Sequence, residues 1–203
     1  MFEKVLLPAT LGLVKKLTPD SFPEGSYLGG GTAVALQLGH RRSADLDFFT
    51  AYEFIESQWE QKLAKELRFK LLKRDWQTLI GACGEVKISL FGYKYPLIGK
   101  KERFFDMEVA SLPDLAAMKL DTVISRGAKR DLIDIYFLAQ KFGLDKLFEY
   151  YDKKYKNFQE REIMIKKALV YFEEAKDDEM PDMLVKTDWE EIKRWFREKV
   201  SKP

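Results

Sequence analysis

The chain has 203 residues, with 35 Lys plus Arg against 33 Asp plus Glu, and its 46% of apolar side chains suffice for one core of domain size. Its single Cys excludes a disulfide framework or a Cys-rich zinc site and points to a reducing, cytoplasmic setting. The longest apolar runs, such as Val5–Leu7 and Ala33–Leu36, fall far short of the ~20 residues that span a bilayer, and the N-terminus lacks the order of a secretory signal, so neither membrane insertion nor secretion is expected.

In chain order, Tyr27–Leu28 reads as a short strand entering Gly29-Gly30-Gly31, and Thr32 opens an apolar helix to about Leu38. Asp45–Phe49 alternates as a strand, Glu53–Glu66 is helical by pattern, and β-type runs follow at Arg68–Lys73, Thr78–Ala82 and Glu85–Tyr93, with Phe104–Val109 as a possible fourth. Residues 62–103 carry 11 basic and 4 acidic side chains, among them Lys62, Lys65, Arg68, Lys70, Lys73 and Arg74. This segment is either a solvated face or a phosphate-tracking one. From Ser111, which reads as an N-cap with Pro113 in the first turn, the pattern is helical to the end. Further helices are expected near 129–142, 144–156, 159–175 and 188–200, the last opened by Thr187, with 176–182 as a loop. The chain is therefore expected to be α+β, with an α/β core over residues 1–110 and a helical C-terminal part over 111–203 that completes the site.

The chemistry concentrates around the glycines. Glycines at a strand end turn the backbone sharply, and a helix starting there offers free N–H groups and a positive dipole end, which suits a phosphate; a simple tight turn would look the same. Asp45 and Asp47 shift the balance. Alternate strand residues share a face with Cα atoms roughly 6.6 Å apart, so the two carboxylates can converge on one hard cation, while Leu46 and Phe48 point into a core. Magnesium suits such ligands when phosphates complete its shell; two acids on an exposed edge strand are the plain alternative.

A second anomaly emerges at ~100° per residue on a helical wheel. Lys119 falls in the middle of the stripe formed by Leu112, Leu115, Ala116 and Val123, and Asp131 is centred among Ile135, Leu138 and Phe142. Charged groups aimed at a core need partners. Either Lys119 and Asp131 form an interhelix salt bridge, or Lys119 meets phosphate oxygens while Asp131 orients it or serves the acceptor; both can hold before substrate arrives. Arg126, Lys129 and Arg130 add cations at the intervening turn.

The run Gly-Gly-Thr followed by Gly-His-Arg-Arg-Ser-Ala-Asp-Leu-Asp-Phe-Phe, then Leu-Ala-Ala-Met-Lys119, then Arg126 and Lys-Arg130-Asp131-Leu-Ile-Asp134-Ile-Tyr, resembles the AbiEii/AbiGii family of nucleotidyltransferase toxins. The MenT toxins and, more distantly, polymerase-β-type nucleotidyltransferases are related. The resemblance spans about residues 26–142. It implies a polymerase-β-type core of mixed sheet and flanking helices, and a magnesium-dependent toxin of a type IV-like toxin–antitoxin or abortive infection system, neutralised by a cognate antitoxin. Such an enzyme moves a nucleotide from an NTP to an acceptor, with the tRNA acceptor end as the expected one. Gly30, Gly31 and Thr32 would hold the phosphates, with Arg42, Ser43, Arg126 and Arg130 among the nucleotide contacts. Asp45 and Asp47 would bind Mg²⁺, Lys119 would contact the nucleotide, and Asp131 would be the later essential acid.

This chain departs from the pattern in one place. The strand Glu85–Phe91 should carry a third carboxylate, yet Ser89 stands at the expected position, leaving Glu85, Glu108 or Asp131 to substitute. A silent nucleotide-binding module, or a same-core transferase acting on a protein or small-molecule hydroxyl, are the alternatives. His40 is read as a cap after Gly39 rather than a general base, Cys83 as a packing thiol in a hairpin, and Trp189, Trp195 and Phe196 as a buried helix face in preference to an antitoxin dock.

Overall fold

Alternation dictates the middle of the sheet. In β2 (Leu46–Thr50) the residues Leu46, Phe48 and Thr50 are buried, while Asp47 and Phe49 line a cleft. The computed structural model describes residues 1–200. Its other strands are β1 (Tyr27–Leu28), β3 (Lys70–Asp75), β4 (Thr78–Cys83), β5 (Val86–Gly92), β6 (Glu102–Phe104) and β7 (Met107–Val109). They form one seven-stranded sheet in the order β3-β4-β5-β2-β1-β7-β6. The β2–β5 and β1–β7 pairs are parallel and the rest antiparallel, so the sheet is mixed.

The helices are α1 (Pro8–Val14), α2 (Gly30–Leu38), α3 (Glu56–Leu67), α4 (Leu112–Ser125), α5 (Lys129–Phe142), α6 (Leu144–Tyr155), α7 (Phe158–Val170) and α8 (Trp189–Val200). The α+β architecture and its helical second half match expectation. α4 is the hub: it lies against α2 beside the sheet and against α5, α6 and α7 on its other sides. Its run of buried residues from Asp114 to Leu120 reflects that enclosure. Ser111 caps it as expected, accepting from the Asp114 N–H.

Several boundaries move for identifiable reasons. α2 begins at Gly30, two residues before Thr32, so the glycines themselves supply the first helical N–H groups. α3 starts three residues later than its pattern, because Phe54 and Glu56 are tied to Gln77 in the β3–β4 turn. Phe104–Val109 is not one strand but a hairpin, β6–β7, turning at Phe105 with φ +50°. α7 stops at Val170, where Tyr171 becomes extended. Asp188, not Thr187, caps α8 by accepting from the Glu190 N–H. Ile192 and Phe196 form the buried stripe of α8, with Trp195 edge-on to Tyr136. Among the described residues, no helix is long and apolar enough to cross a membrane.

Candidate active site

The cleft opens where β1 hands over to α2. Gly30 has φ +64°, and a Cβ there would stand 2.5 Å from Asp47 Oδ2, so only glycine lets the helix start against that carboxylate. At Gly31 the constraint is space alone, since a Cβ would come 2.5 Å from Arg41 Nη2. Gly29 provides no side-chain cap, which leaves the first N–H groups of α2 free to meet an anion. Gly30, Gly31, Asp47, Lys119 and Arg126 line a cleft of about 320 Å³, walled by Phe49, Phe91, Tyr93, Met118 and Tyr155. Asp121 and Thr122 also line it. Asp121 was not anticipated from sequence; on a helical wheel it is one more polar residue.

Asp47 lies opposite Ser89 on β5, whose hydroxyl favours its charged form. Burial pushes the Asp47 carboxyl above the usual range; Ser89 works against that, and neighbouring Asp45 adds to it. Ser89 therefore does occupy the position beside Asp47 where a third carboxylate was sought. The suggested substitutes are elsewhere: Glu85 sits exposed in the β4–β5 turn, and Glu108 pairs with Lys101 at 3.6 Å on a different cleft. Asp131 is committed to the pairs described next.

Behind the cleft lies a buried ion cluster. Lys119 Nζ is 2.6 Å from Asp131 Oδ1 and 2.7 Å from Asp134 Oδ2. Arg41 grips both Asp134 oxygens, through Nε at 2.7 Å and Nη2 at 2.8 Å, and His40 Nε2 lies 2.8 Å from Oδ1. Arg126 Nε reaches Asp131 Oδ2 at 3.0 Å from a half-exposed position. Burial pushes Asp134 upward, but Arg41 and then Lys119 outweigh it and hold its carboxyl well below the usual range. The interhelix salt bridge foreseen for Lys119 and Asp131 is thus present, and it belongs to a larger network whose centre is Asp134. Three cations against two carboxylates leave one positive charge in excess, at the wall of the cleft.

The structure separates the expected nucleotide contacts. Gly30, Gly31, Lys119 and Arg126 line the main cleft. Thr32 does not: buried, it bonds the Ser43 hydroxyl at 2.7 Å and the Asp45 carbonyl, so Thr32 and Ser43 tie the start of α2 to the 39–45 loop. Arg42 pairs with Asp182 at 3.0 Å, and together with Ser43, Asp45 and Arg130 it lines a neighbouring cleft closed by Asp178–Asp182. His40 is not a helix cap; it is a buried partner of Asp134, its ring tilted against Phe137 with centroids 4.8 Å apart. Cys83 ends β4, buried, with its thiol pushed up to about 11 by burial, as suits a packing residue.

The chemistry of Asp47 suits a magnesium ion in the manner of sites that borrow substrate oxygens, with Asp45, two residues before it, lining the neighbouring cleft. Both offer hard oxygens, and burial beside a like charge disfavours the ionised form of Asp47 unless a cation arrives. Among the described residues no group of three or more His, Cys, Asp or Glu side chains could hold a metal, so phosphate and water oxygens would have to complete the shell.

Comparison with known proteins fits this geometry. The sequence profile of the nucleotidyl transferase AbiEii toxin family, of type IV toxin–antitoxin systems, matches residues 84–202. An uncharacterized protein of Aquifex aeolicus strain VF5 is 37% identical over 180 residues, covering 86% of this chain and 85% of that one. Among solved structures, a candidate nucleotidyltransferase of Helicobacter pylori superposes with a TM-score of 0.54 at 19% identity, covering 96% of this chain and 94% of that one. MenT4, a nucleotidyltransferase toxin of Mycobacterium tuberculosis, gives 0.53 at 13% identity, covering 94% and 80%. The structural likenesses establish the fold, and the profile match, over more than half of the chain, establishes the rest: this protein belongs to the AbiEii nucleotidyl transferase toxin family and is a nucleotidyltransferase.

Proposed function

We propose that the protein is a magnesium-dependent toxin that transfers a nucleotidyl group from an NTP to an acceptor hydroxyl, with the tRNA acceptor end as the acceptor. In this reading it works in the cytoplasm and a cognate antitoxin neutralises it. The observation that carries the proposal is the approach of Asp47 to the uncapped start of α2 within a cleft to which Lys119 and Arg126 bring cations.

Asp45 and Asp47 would hold the cation, which when bound neutralises donor phosphate charge and favours ionisation of the acceptor hydroxyl. The Gly30 and Gly31 N–H groups orient the phosphates through the dipole end of α2. Lys119, fixed by Asp131 and Asp134, presents a charge that needs no reorganisation when the donor arrives. Arg126 reaches over the same cleft. The aromatic wall of Phe49, Phe91 and Tyr93 gives the base an apolar face and limits water. In the reaction the acceptor oxygen bonds to the α-phosphorus, the α–β bridging bond breaks, and pyrophosphate leaves. Residues 111–203 supply Lys119, Arg126 and Asp131 and so complete the site that residues 1–110 begin. Ser89 beside Asp47 favours one rival, a silent nucleotide binder.

The test is transfer from α-labelled NTPs, each supplied singly with Mg²⁺, to total tRNA. Wild type should label RNA, and Asp45→Ala and Asp47→Ala should each lower the rate by roughly 10²–10³-fold, the scale of losing a group that stabilises developing charge. Intact NTP binding with no transfer to any acceptor would favour the silent binder.

A further inference from the structure

Beyond the cleft the sheet extends as a wing of β5, β4 and β3. Strand register fixes which side chains share the face of Asp47. Asp47 lies opposite Ser89, Ser89 opposite Ile80, and Ile80 opposite Lys73. One step along, Lys87 lies opposite Ala82, and Ala82 opposite Lys70. On β4 this face, with Thr78, Ile80 and Ala82, is half-buried, whereas Leu79 and Cys83 on the reverse are buried. The helix α3 lies under that reverse side, where Arg74, opposite Leu79, reaches Glu60 at 2.9 Å. Of the basic residues that cluster in the sequence, Lys70 and Lys73 thus stand on the carboxylate face and Arg74 does not.

Lys87, Lys73 and Lys70 are all exposed. Three strand spacings of ~4.8 Å put the backbone of Lys73 roughly 14 Å from that of Asp47. Asp75, at the far rim, balances part of the Lys73 charge at 3.5 Å. Trp76, 72% exposed at the β3–β4 turn, stands beside Lys94, whose ammonium is 6.0 Å from the ring centroid.

We propose that this face is a track for a polynucleotide acceptor, whose phosphates rest on Lys87, Lys73 and Lys70 and whose terminal hydroxyl is thereby led to Asp45 and Asp47. The inference rests on the transferase reading above and deepens it. A small-molecule acceptor has no use for cations that far from the carboxylates, and a chain of phosphates does. Trp76 offers a ring to an unstacked base at the distal end.

The test uses the full chain and total tRNA without NTP, with affinity followed from 50 to 200 mM salt. Combined Lys70→Gln, Lys73→Gln and Lys87→Gln substitution should weaken binding and flatten the log–log salt slope by about 2, at ~0.7 per single-strand phosphate contact. Arg74→Gln on the opposite face should bind as wild type does. Equal losses in the two variants, or an unchanged slope in the triple variant, would overturn the track. Labelling of tRNA, run in parallel, separates the two levels. If wild type and the triple variant label RNA with the same KM for RNA, the track fails and the transferase stands. If wild type labels no RNA while transferring to another hydroxyl, the polynucleotide acceptor and its track fail together.

Discussion

Asp131 and Asp134, one turn apart on α5, are fully buried and surrounded by Lys119, Arg41, His40 and Arg126. Asp45 and Asp47, two residues apart at the start of β2, have the opposite treatment: among the described residues neither has an ion pair, and burial, with Asp45 beside it, raises the cost of charging Asp47. A carboxylate costs several kcal/mol to bury, and one whose own chain supplies the cations contributes order to the fold. One left without an ion pair beside a like charge adds no such order, and under the transferase reading proposed above a cation arriving with a ligand would account for its place. The same residue type thus holds the cleft together from α5 and serves it from β2.

The largest expected effect tests the first half of that contrast. Asp134→Ala would strand Arg41 in the interior and leave Lys119 with Asp131 alone, costing about 3–5 kcal/mol and roughly 10 °C in melting midpoint for a chain of this size. The pH dependence has a definite sign. The folded-state pKa of Asp134 is depressed, so its stabilisation is fully present above the unfolded value near 3.9 and is lost as pH falls through the lower folded value. The gap between wild type and Asp134→Ala, measured by urea melts, should stay constant from neutral pH to about 4 and narrow only below it. A gap that already closes near pH 6 would remove Asp134 from the centre of the network.

How much of this was legible in sequence follows from where each residue sits. Lys119 and Asp131 were visible because helical periodicity makes a charge on an apolar stripe conspicuous, and Asp45 and Asp47 because a strand repeats every two residues. Ser89 stood out through the family pattern, as the position where a third carboxylate is expected, and the β2–β5 register is what sets it opposite Asp47. Asp134 falls at the margin of the α5 stripe, near −60° from Asp131 on the same wheel, and drew no separate attention. Arg41 and His40 lie in a loop with no period to read; their role depends on a contact 93 or 94 residues away. The bond between Thr32 and Ser43 was hidden for the same reason, since a hydroxyl near a glycine turn can face an anion or a neighbouring loop, and the packing of residues 39–45 is what joins them. The basic segment was legible as composition, but its division between two faces of a sheet required the β3–β4 register and its irregularity between Leu71 and Lys73.

A smaller effect tests the second half of the contrast. If Asp47 is held against the interest of the fold, Asp47→Asn should stabilise the metal-free protein by about 1 kcal/mol, because the amide keeps an acceptor for Ser89 and removes the repulsion from Asp45. That corresponds to a midpoint raised by a few degrees in a thermal melt with chelator. Excess Mg²⁺ with NTP should then raise the midpoint of wild type more than that of the variant. A variant less stable than wild type under chelation would mean that the chain itself satisfies Asp47.

Arg126 sharpens the comparison at its smallest scale, because it belongs to both sides. It bonds Asp131 yet is half-exposed at the mouth of the cleft. As an exposed member of an ion pair its removal should cost less than about 1 kcal/mol of stability. Asp131 keeps Lys119 at 2.6 Å, so no buried charge is stranded. If Arg126 also meets donor phosphate, Arg126→Gln should raise the KM for NTP by about tenfold, near 1.4 kcal/mol of lost binding, while kcat changes little, because a contact made equally with donor and transition state is uniform binding. A fall in kcat at unchanged KM would place the guanidinium on charge that develops during transfer, and a large loss of stability with normal kinetics would return Arg126 wholly to the α5 network.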